Sequence, residues 1–365
     1  MFSPVYISDM NCVTPLGLDL QDNWIAILKE DTGIDVHTVG CFENIYTAKI
    51  KDLPTVRTDL TYLERMLYLT LEPMVRSKPL GAKTGFILST TKGNIEFLSE
   101  GKSEEAQLHK LAFKMSSLFG FITRPIVVSH ACVSGVLAVS VAKRLIQTGQ
   151  FDEVFVLAGD KVSEFVLSGF NAFQAMSAKP CKPFDSGRDG VTLGEAAGAI
   201  LVTKSPEHAL VEIVGEGAIN DANHISGPSR TGEGLYRSIS SALNEAGIDA
   251  SAIDFISAHG TATPYNDEME AIAFDRLGMN DIPLNSLKGY YGHTLGASGL
   301  LELIISILSL RHNKLIPTKG FVSRGTSKDV NIITQKMDVP LTYILKTASG
   351  FGGSNAAAIL KKVNG

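Results

Sequence analysis

The sequence predicts an α/β protein in which helices cover β-sheets. Short runs rich in β-branched residues recur along the chain, and segments with a helical spacing of apolar residues lie between them. This alternation is typical of layered α/β folds. In addition, VYISDMNCVT at residues 5–14 resembles VEIVGEGAIN at residues 211–220, since each is a strand pattern followed by a turn rich in Gly or Asn. This short similarity indicates two halves built alike.

Nine segments have the composition of strands. Between them, residues 135–147 and 234–246 have the apolar spacing of helices that bury one face. The chain has no Pro- or Ser-rich linker, no long run of charge and no short repeat, which predicts one compact body. The predicted strands are residues 5–8, 84–88, 126–129, 153–158, 198–202, 211–214, 255–258, 344–349 and 356–360.

Composition and charge exclude several classes of protein. The chain has 365 residues, of which 44% are hydrophobic, and this is enough for a large buried core. Its net charge of -5 offers no basic stripe to neutralise phosphates, so nucleic acid is not an expected partner. The N-terminus lacks the basic and apolar regions of a secretory signal, so we expect a cytoplasmic protein. The apolar run at residues 299–310 is interrupted by Glu302 and is too short to span a bilayer, which predicts a buried helix.

The four cysteines, Cys12, Cys41, Cys132 and Cys181, lie far apart and form no C-x-x-C pair. This spacing argues against a zinc knuckle, a redox dithiol or a disulfide framework, and it indicates free thiols. Most buried cysteines act as small hydrophobes, so a chemical role for any one of them needs a separate argument.

Cys132 lies at a predicted strand-to-helix junction within IVVSHACVSG. The first turn of a helix offers free N–H groups and the positive end of its dipole, which lower the pKa of a thiol and favour the thiolate. On this segment alone, a cysteine that merely packs between strand and helix is an equal alternative. The small neighbours Ala131, Ser134 and Gly135 leave room for a substrate beside the sulfur, which favours a nucleophile.

His259 ends a second predicted strand, in FISAHGTATPYND. Loops after strands are where α/β proteins collect their functional groups. Thr261 and Thr263 place two hydroxyls near this histidine, as a polar ligand arm requires. A lone histidine in such a turn is nevertheless more often structural than catalytic.

Lys288, His293 and Glu302 are polar residues in the apolar, glycine-rich segment NSLKGYYGHTLGASGLLE. Burying such groups is costly unless they pair, so a Lys288–Glu302 ion pair is expected. The pair has a purely structural explanation and a functional one, in which it orients and tunes His293. The glycines match neither the G-x-G-x-x-G nor the P-loop pattern, so nucleotide binding is not expected.

The segment TASGFGGSNA at residues 347–356 places a Gly-Phe-Gly-Gly turn after a predicted strand. Such a turn can aim backbone N–H groups into a cavity as an oxyanion hole, although an ordinary tight turn is the simpler interpretation of this segment alone. A metal site is not expected, because His224, His259 and His293 lack ligand spacing of the H-E-x-x-H kind.

Taken in order, these segments resemble the elongating β-ketoacyl-acyl-carrier-protein synthases, which belong to the thiolase-like condensing enzymes. Seven collinear motifs carry the resemblance over essentially the whole chain. One such motif is weak, but seven in the same order are specific. The motifs are VTPLG, ACVSG, KPFDSGRDGVTLGEAAGA, DANHISGP, HGTATPYND, LKGYYGHTLGASGLLE and GFGGSNAA.

The resemblance implies a thiolase-like five-layered αβαβα fold of two similar halves. We place the halves at residues 1–206, with the nucleophilic cysteine, and 207–365, with the two histidines. The implied reaction is a decarboxylative Claisen condensation of malonyl-acyl-carrier protein with an acyl chain held on the cysteine, in fatty acid, polyene or polyketide synthesis. The implied partners are acyl carrier protein and a second subunit, in a homodimer or heterodimer. Because the substrates travel on the phosphopantetheine of the carrier protein, no separate cofactor or metal is implied.

The residue roles of the family map onto this chain by position. Cys132 corresponds to the acyl-accepting nucleophile, and His259 and His293 correspond to the two imidazoles that stabilise the enolate. Lys288 and Glu302 correspond to the lysine and its carboxylate partner, and Thr261 and Thr263 to the threonines that hold the phosphopantetheine arm. Phe351 corresponds to the gating phenylalanine, whose N–H joins that of Cys132 in the oxyanion hole.

The chain also departs from the family pattern. It is shorter, chiefly before Gly120 and after Pro317, and the cysteine motif reads SHACVSG in place of the commoner T-A-C-A-[ST]-G type. The usual Asn-Ser-Phe before the glycine turn is replaced by residues 347–349. These departures leave chain-length preference and choice of partner open. Residues 170–176 are expected to line the acyl pocket by analogy.

Two alternatives remain at this stage. A chain-length-factor-like subunit shares the fold but performs no condensation, and such subunits commonly lose the cysteine. The presence of Cys132 with both histidines and Lys288 favours an active enzyme. A condensing enzyme that takes coenzyme A thioesters is disfavoured by two histidines combined with the HGTATP and GFGG motifs.

Basic residues are expected around the substrate entrance to meet an acidic carrier protein. Lys51, Arg57 and Arg65 are candidates, although a solvated surface is the simpler interpretation of each.

Overall fold

A computed structural model describes residues 3–76, 78–221 and 227–363 of the chain. Most of the DANHISGP motif, with His224, lies outside the described residues. The helices are α1 (Leu20–Leu28), α2 (Tyr62–Val75), α3 (Leu108–Phe119), α4 (Ser134–Gln147), α5 (Glu164–Ala172), α6 (Glu233–Ala246), α7 (Pro264–Arg276), α8 (Lys288–Tyr291) and α9 (Ser298–His312).

The strands alternate with these helices along the chain. They are β1 (Tyr6–Val13), β2 (Ile34–Val39), β3 (Phe42–Ala48), β4 (Thr84–Ser89), β5 (Ile126–Val128), β6 (Glu153–Asp160), β7 (Leu193–Gly194), β8 (Ala196–Thr203), β9 (Val211–Asn220), β10 (Phe255–Ser257), β11 (Pro283–Asn285), β12 (Lys314–Leu315), β13 (Asn331–Ile332), β14 (Met337–Asp338), β15 (Tyr343–Gly350) and β16 (Ser354–Lys362).

All nine predicted strands and both predicted helices are present, with ends that differ by a few residues. Local signals explain where helices begin. The Thr61 hydroxyl and the Glu64 carboxylate form a reciprocal capping box at the start of α2, and Pro264 occupies the first turn of α7. The sequence analysis missed β11, whose residues Pro-Leu-Asn lack the β-branched and aromatic residues that marked the equally short β5 and β10.

The large sheet repeats one arrangement of strands. In the first half the order is β1-β8-β6-β4-β5, and in the second half β9-β16-β15-β10-β11. In both halves the first two pairings are antiparallel and the next two are parallel. The segments whose sequences resemble each other form β1 and β9, which hold the same place in their halves and pair with each other. The predicted construction from two similar halves is confirmed, whereas the boundary at residues 206 and 207 stays a prediction.

The layers follow from which helices contact which strands. The central helices α4 and α9 contact each other and strands of both halves, so the sheet bends around them. Helices α2 and α3 cover the other face of the first half, and α6 covers that of the second, with α7 against it. The result is the five-layered αβαβα architecture, and the largest apolar cluster surrounds α4 and α9.

Helix α9 is buried on all sides from Ser298 to Leu310 because it lies in the central layer. The stretch Leu295–His312 is long and apolar enough to cross a membrane by length and composition, but 89% of it is buried inside the fold. It is therefore the core helix that the sequence predicted. Strands β5 and β11 end the two matched orders, and they are followed along the chain by α4 and, after the short α8, by α9. The segments that lead into these two central helices carry Cys132 and His293.

Candidate active site

Cys132 lies in a tight turn between β5 and α4. The preceding Ala131 has φ +46°, a left-handed conformation that is rare for a residue with a side chain. Ser134 fixes the turn, because its Oγ accepts from the His130 N–H at 2.7 Å and donates to the Ala131 carbonyl at 2.6 Å. The cysteine is thus held at the N-terminal end of a central helix and is 8% exposed.

His293 faces the sulfur directly. Its Nε2 lies 2.9 Å from Cys132 Sγ, and the residue is 1% exposed. The loop is fixed on both sides, since the His293 N–H donates to the Thr192 carbonyl at 2.7 Å and the Gly296 N–H donates to Asp160 Oδ2 at 2.8 Å. Among the described residues, its Nδ1 has no hydrogen-bond partner, so the sulfur is the polar contact of this ring.

His259 completes a group of three. Its ring centroid lies 5.3 Å from that of His293, with the planes at 84°. Lys288 Nζ lies 3.3 Å from His259 Nδ1, and because an ammonium can only donate, the imidazole proton belongs on Nε2. The Glu270 carboxylate accepts the backbone N–H of His259 at 2.9 Å and so holds the end of β10 in place.

A buried charge network lies behind the histidines. Lys288 Nζ donates to Glu302 Oε1 at 2.6 Å and to the His259 carbonyl at 2.5 Å, so the expected ion pair is present. Lys346 Nζ donates to the other carboxylate oxygen, Glu302 Oε2, at 2.5 Å. Each of the three charged side chains is at most 3% exposed.

Burial and these cations set the protonation states. Desolvation raises the pKa of the Cys132 thiol to about 11, although the charge of Lys288 acts to lower it. Desolvation and then the charge of Lys288 lower the pKa of His293 to about 3, and the same causes place the pKa of His259 well below 6.5. The predicted lowering of the thiol pKa by the helix N-terminus is therefore wrong for the resting site, since burial outweighs it. The resting pair is a neutral thiol beside a neutral imidazole.

The three reactive side chains also form a set that could bind a metal ion. One ligand atom from each of Cys132, His259 and His293 lies within 4.8 Å of the others. Sulfur and imidazole nitrogen are zinc ligands, but the ammonium groups of Lys288 and Lys346 nearby oppose a divalent cation. A site without metal stays a prediction.

Cys132, His259 and His293 line a cavity of about 390 Å³. Thr261 and Thr263 line it, and their hydroxyls hydrogen-bond each other at 2.8 Å. On another wall, Phe351 packs against Phe170 and Phe173 with ring centroids 5.6 and 5.3 Å apart. Of residues 170–176, the expected acyl-pocket segment, 170 and 173–175 line the cavity.

The glycine turn approaches the backbone of the cysteine closely. A Cβ at Gly350 would lie 3.0 Å from the Cys132 backbone N and 3.2 Å from Ala131 Cβ, so only glycine fits without a shift. The next residue, Phe351, is 36% exposed and lines the cavity. The turn thus lies beside the backbone N of Cys132, and the oxyanion hole formed with Phe351 stays a prediction.

The structure brings the predicted site residues together and adds Glu270 and Lys346, which the sequence analysis did not name. Cys132, Thr261, Thr263, His259, His293 and Phe351 all line the cavity, and Lys288 and Glu302 lie behind it. Lys346 was missed, although a lysine inside the strand pattern YILKTAS was a signal of a buried charge. The cavity lining contains none of the three basic residues proposed for docking; each instead bonds a polar neighbour, namely Lys51 to Asp35, Arg57 to Asp59 and Arg65 to Thr55.

Two family models match the chain. Residues 98–208 match "Beta-ketoacyl synthase, N-terminal domain" and residues 210–322 match "Beta-ketoacyl synthase, C-terminal domain", which together cover more than half of the 365 residues.

Among curated proteins, the 3-oxoacyl-[acyl-carrier-protein] synthase 2 of Staphylococcus aureus (strain COL) is 34% identical over 249 residues, 64% of this chain and 60% of that protein. The protein of the same name from Rhizobium meliloti (strain 1021) is 37% identical over 257 residues, with coverage of 64% and 60%. The matched region thus spans about three fifths of these relatives.

Solved structures share the fold over nearly the whole chain. A ketosynthase in complex with its chain length factor from Xenorhabdus doucetiae has a TM-score of 0.90 at 24% identity and covers 99% of this chain and 98% of that one. A β-ketoacyl synthase from Burkholderia phymatum STM815 has a TM-score of 0.89 at 23% identity, with coverage of 99% and 100%. These likenesses confirm the predicted thiolase-like fold.

Proposed function

Because this chain belongs to the β-ketoacyl synthase family, we propose that it is a 3-oxoacyl-acyl-carrier-protein synthase, an acyltransferase that joins two thioester-bound acyl groups. The observation that carries the proposal is the 2.9 Å contact between Cys132 Sγ and His293 Nε2, with His259 beside them in the same cavity. A nucleophile in contact with a base, next to a second oriented imidazole, is the arrangement that thioester chemistry needs.

The first half-reaction loads the acyl chain. As Cys132 Sγ attacks the carbonyl carbon of an acyl thioester, its proton passes to His293 Nε2, whose lone pair faces the sulfur and is unprotonated because burial lowers the pKa of the imidazole. The backbone N–H groups of Cys132 and Phe351 stabilise the negative oxygen. The bond to the carrier sulfur then breaks, and the carrier leaves as a thiol after taking the proton from His293. The acyl group remains on Cys132 as a thioester.

The second half-reaction makes the carbon–carbon bond. A malonyl thioester loses carbon dioxide, and the electron pair left behind forms an enolate. His259 offers an Nε2–H to the enolate oxygen, because Lys288 occupies its Nδ1. The acylated Cys132 no longer gives a proton to His293, so His293, whose Nδ1 has no partner among the described residues, takes the tautomer with the proton on Nε2 and donates to the same oxygen. The enolate carbon attacks the Cys132 thioester, the C–S bond breaks, and the released thiolate takes up one proton from solvent, the proton that the decarboxylation consumes overall. The product is a 3-oxoacyl thioester on the carrier protein.

The substrates and partners follow from the cavity and the sheet edge. The paired hydroxyls of Thr261 and Thr263 suit the amide groups of a phosphopantetheine arm, and the exposed rings of Phe173 and Tyr265 at the cavity wall suit a docked carrier protein. Strand β5, next to the nucleophile, is the last strand of the sheet, so its open edge suits pairing with a second ketosynthase-like subunit. No separate cofactor is required by this chemistry.

A non-catalytic, chain-length-factor-like subunit is the alternative. The solved ketosynthase from Xenorhabdus doucetiae is paired with such a factor. Cys132 in contact with His293, with His259 and its lysine in place, supports catalysis by this chain.

Intact-mass spectrometry tests the proposal. The purified chain is incubated with acyl carrier proteins loaded with acyl groups of several lengths, and malonyl carrier protein is then added. The wild type is expected to gain the acyl mass and to lose it as a 3-oxoacyl product forms, whereas Cys132→Ala gains none. Cys12→Ala, which removes a different buried thiol, is the control and is expected to behave as the wild type. A wild type that gains no mass with any acyl group contradicts catalysis by this chain alone and favours the subunit alternative.

A further inference from the structure

Lys346 is a buried lysine close to Cys132, His259 and His293, and it has no role in the reaction proposed above. It lies in the middle of β15 and is 0% exposed, and it is not among the residues that line the cavity. Removing a lysine ammonium from water costs several kcal/mol unless acceptors replace the water. Lys346 Nζ has three acceptors, Glu302 Oε2 at 2.5 Å and the carbonyls of Ser257 at 3.2 Å and Ala258 at 3.1 Å.

Those acceptors place Lys346 on the backbone that carries His259. The carbonyls of Ser257 and Ala258 receive Lys346, and the next carbonyl, that of His259, receives Lys288. Two lysines therefore hold three consecutive peptide groups at the end of β10. Since both lysines also bind Glu302, the strand end is tied to the central helix α9 through a single carboxylate.

The second lysine also changes the balance of charge. Glu302 is ionised, because the charges of Lys288 and Lys346 outweigh its burial and lower its pKa to about 2. Burial lowers the pKa of Lys346, and the Glu302 carboxylate acts to raise it. With both lysines protonated, the clamp of Lys288, Glu302 and Lys346 carries two positive charges and one negative charge. Both lysines act to lower the pKa values of His259 and His293. Among the described residues, the ionisable groups next to this histidine pair include Cys132, Glu270 and Asp160, which bonds the loop after His293, and burial raises the pKa of each.

We propose that Lys346 is a positioning residue that fixes His259 through the end of β10 and, with Lys288, maintains an excess of positive charge beside the two imidazoles. This inference rests on the proposed function. Lys346 acts through His259 and contacts neither Cys132 nor the cavity, so it serves the decarboxylation and condensation step more than the loading of the acyl chain.

The test is Lys346→Met, which retains the length of the side chain and leaves Glu302 paired with Lys288. Turnover in condensation is expected to fall about tenfold to hundredfold, the cost of a displaced catalytic group. Acyl loading of Cys132 is expected to change little, and the acid limb of the condensation rate moves to higher pH because the imidazoles lose a neighbouring cation. Lys143→Met is the matched control. Lys143 is also a buried lysine, 2% exposed, but it lies in the last turns of α4, pairs with Glu245 of α6 and is not among the residues that line the cavity.

A second readout needs no turnover. Nitrogen-15 NMR of histidine-labelled protein follows protonation of the imidazoles with pH, and the two ring signals are expected to titrate at higher pH in Lys346→Met than in the wild type. Equal titration in both proteins, or wild-type turnover and pH profile in the variant, overturns the inference. If the wild type neither loads nor condenses, the proposed function fails while the NMR comparison still decides the role of Lys346. Should Lys346→Met not fold, Lys346→Gln retains a donor for the strand carbonyls and is measured in the same two ways.

Discussion

The Nε2 atom of His293 lies 2.9 Å from the Sγ atom of Cys132, and neither residue is more than 8% exposed. With the pKa of the thiol raised to about 11 and that of the imidazole lowered to about 3, both are neutral between these limits. The proton therefore stays on sulfur until an acyl carbonyl arrives, and its transfer belongs to the attack itself.

The first prediction concerns pH. Because the populations of neutral thiol and neutral imidazole do not change near neutrality, the single-turnover rate of Cys132 acylation is expected to vary less than about threefold from about pH 5 to about pH 9. Quenched-flow intact-mass measurements with one acyl carrier protein give this profile, and circular dichroism at each pH confirms that the protein stays folded. A rate that halves near the ordinary histidine pKa of 6.5 contradicts a neutral resting pair.

The second prediction concerns the stability supplied by Glu302. Glu302→Gln leaves two buried ammonium groups without their counter-charge, so the free energy of unfolding is expected to fall by about 3–5 kcal/mol in denaturant titration at neutral pH. The control is Glu216→Gln, whose partner Arg144 has a 58% exposed side chain and can be hydrated instead.

The pH dependence of that loss has a definite sign. The pKa of Glu302 in the folded state, about 2, lies below its ordinary value of 4.5, so its contribution is complete above 4.5 and is lost as the pH falls towards 2. The difference in unfolding free energy between wild type and Glu302→Gln is expected to shrink across that interval. A difference that stays constant across it means that the carboxylate is not what stabilises the fold.

The third prediction concerns Gly350. In Gly350→Ala the new methyl group meets the Cys132 backbone N at 3.0 Å, so the turn must move away from the oxyanion hole. Acyl loading is expected to slow by about tenfold or more, since removal of one oxyanion donor costs at least this much in other enzymes. Gly81→Ala is the control, because a Cβ there meets nothing within 4 Å. Wild-type loading by Gly350→Ala places the oxyanion hole elsewhere.

The fourth prediction concerns the arm of the carrier protein. Thr263→Val keeps the shape of the side chain and removes one of the two paired hydroxyls in the cavity. The KM for malonyl carrier protein is expected to rise about fivefold to tenfold with little change in kcat, the effect of one lost hydrogen bond in binding. Thr148→Val, on the exposed end of α4, removes a hydroxyl that bonds only local carbonyls and serves as the control. A change in kcat alone assigns the hydroxyl to the chemical step.

The sequence predicts those parts of the site that depend on local pattern. Cys132 and His259 could be placed because each ends a recognisable strand, and the Lys288–Glu302 pair because two charges in an apolar run must find each other. Lys346 could not be placed in the same way. Its partner Glu302 lies 44 residues away, and the contact depends on how β15 packs against α9.

The thiol pKa shows a second limit of sequence reasoning. A helix N-terminus can be read from the spacing of apolar residues, and it favours the thiolate. How completely water is excluded from Cys132 depends on residues from both halves that meet only in the folded chain, including His293 and the Gly350 turn. Desolvation is the larger effect, and it reverses the sign of the prediction.

The repeated strand order has a consequence for how such a site arises. Cys132 and His293 occupy corresponding segments of the two halves, the first between β5 and α4 and the second between β11 and α9. Duplication of one such half gives two copies of that segment, each leading into one of the two central helices. The copies are then free to diverge, one into the sulfur that takes up the acyl group and the other into the nitrogen that takes up its proton. The nucleophile Cys132 and the base His293 thus hold corresponding places in the two halves of the fold.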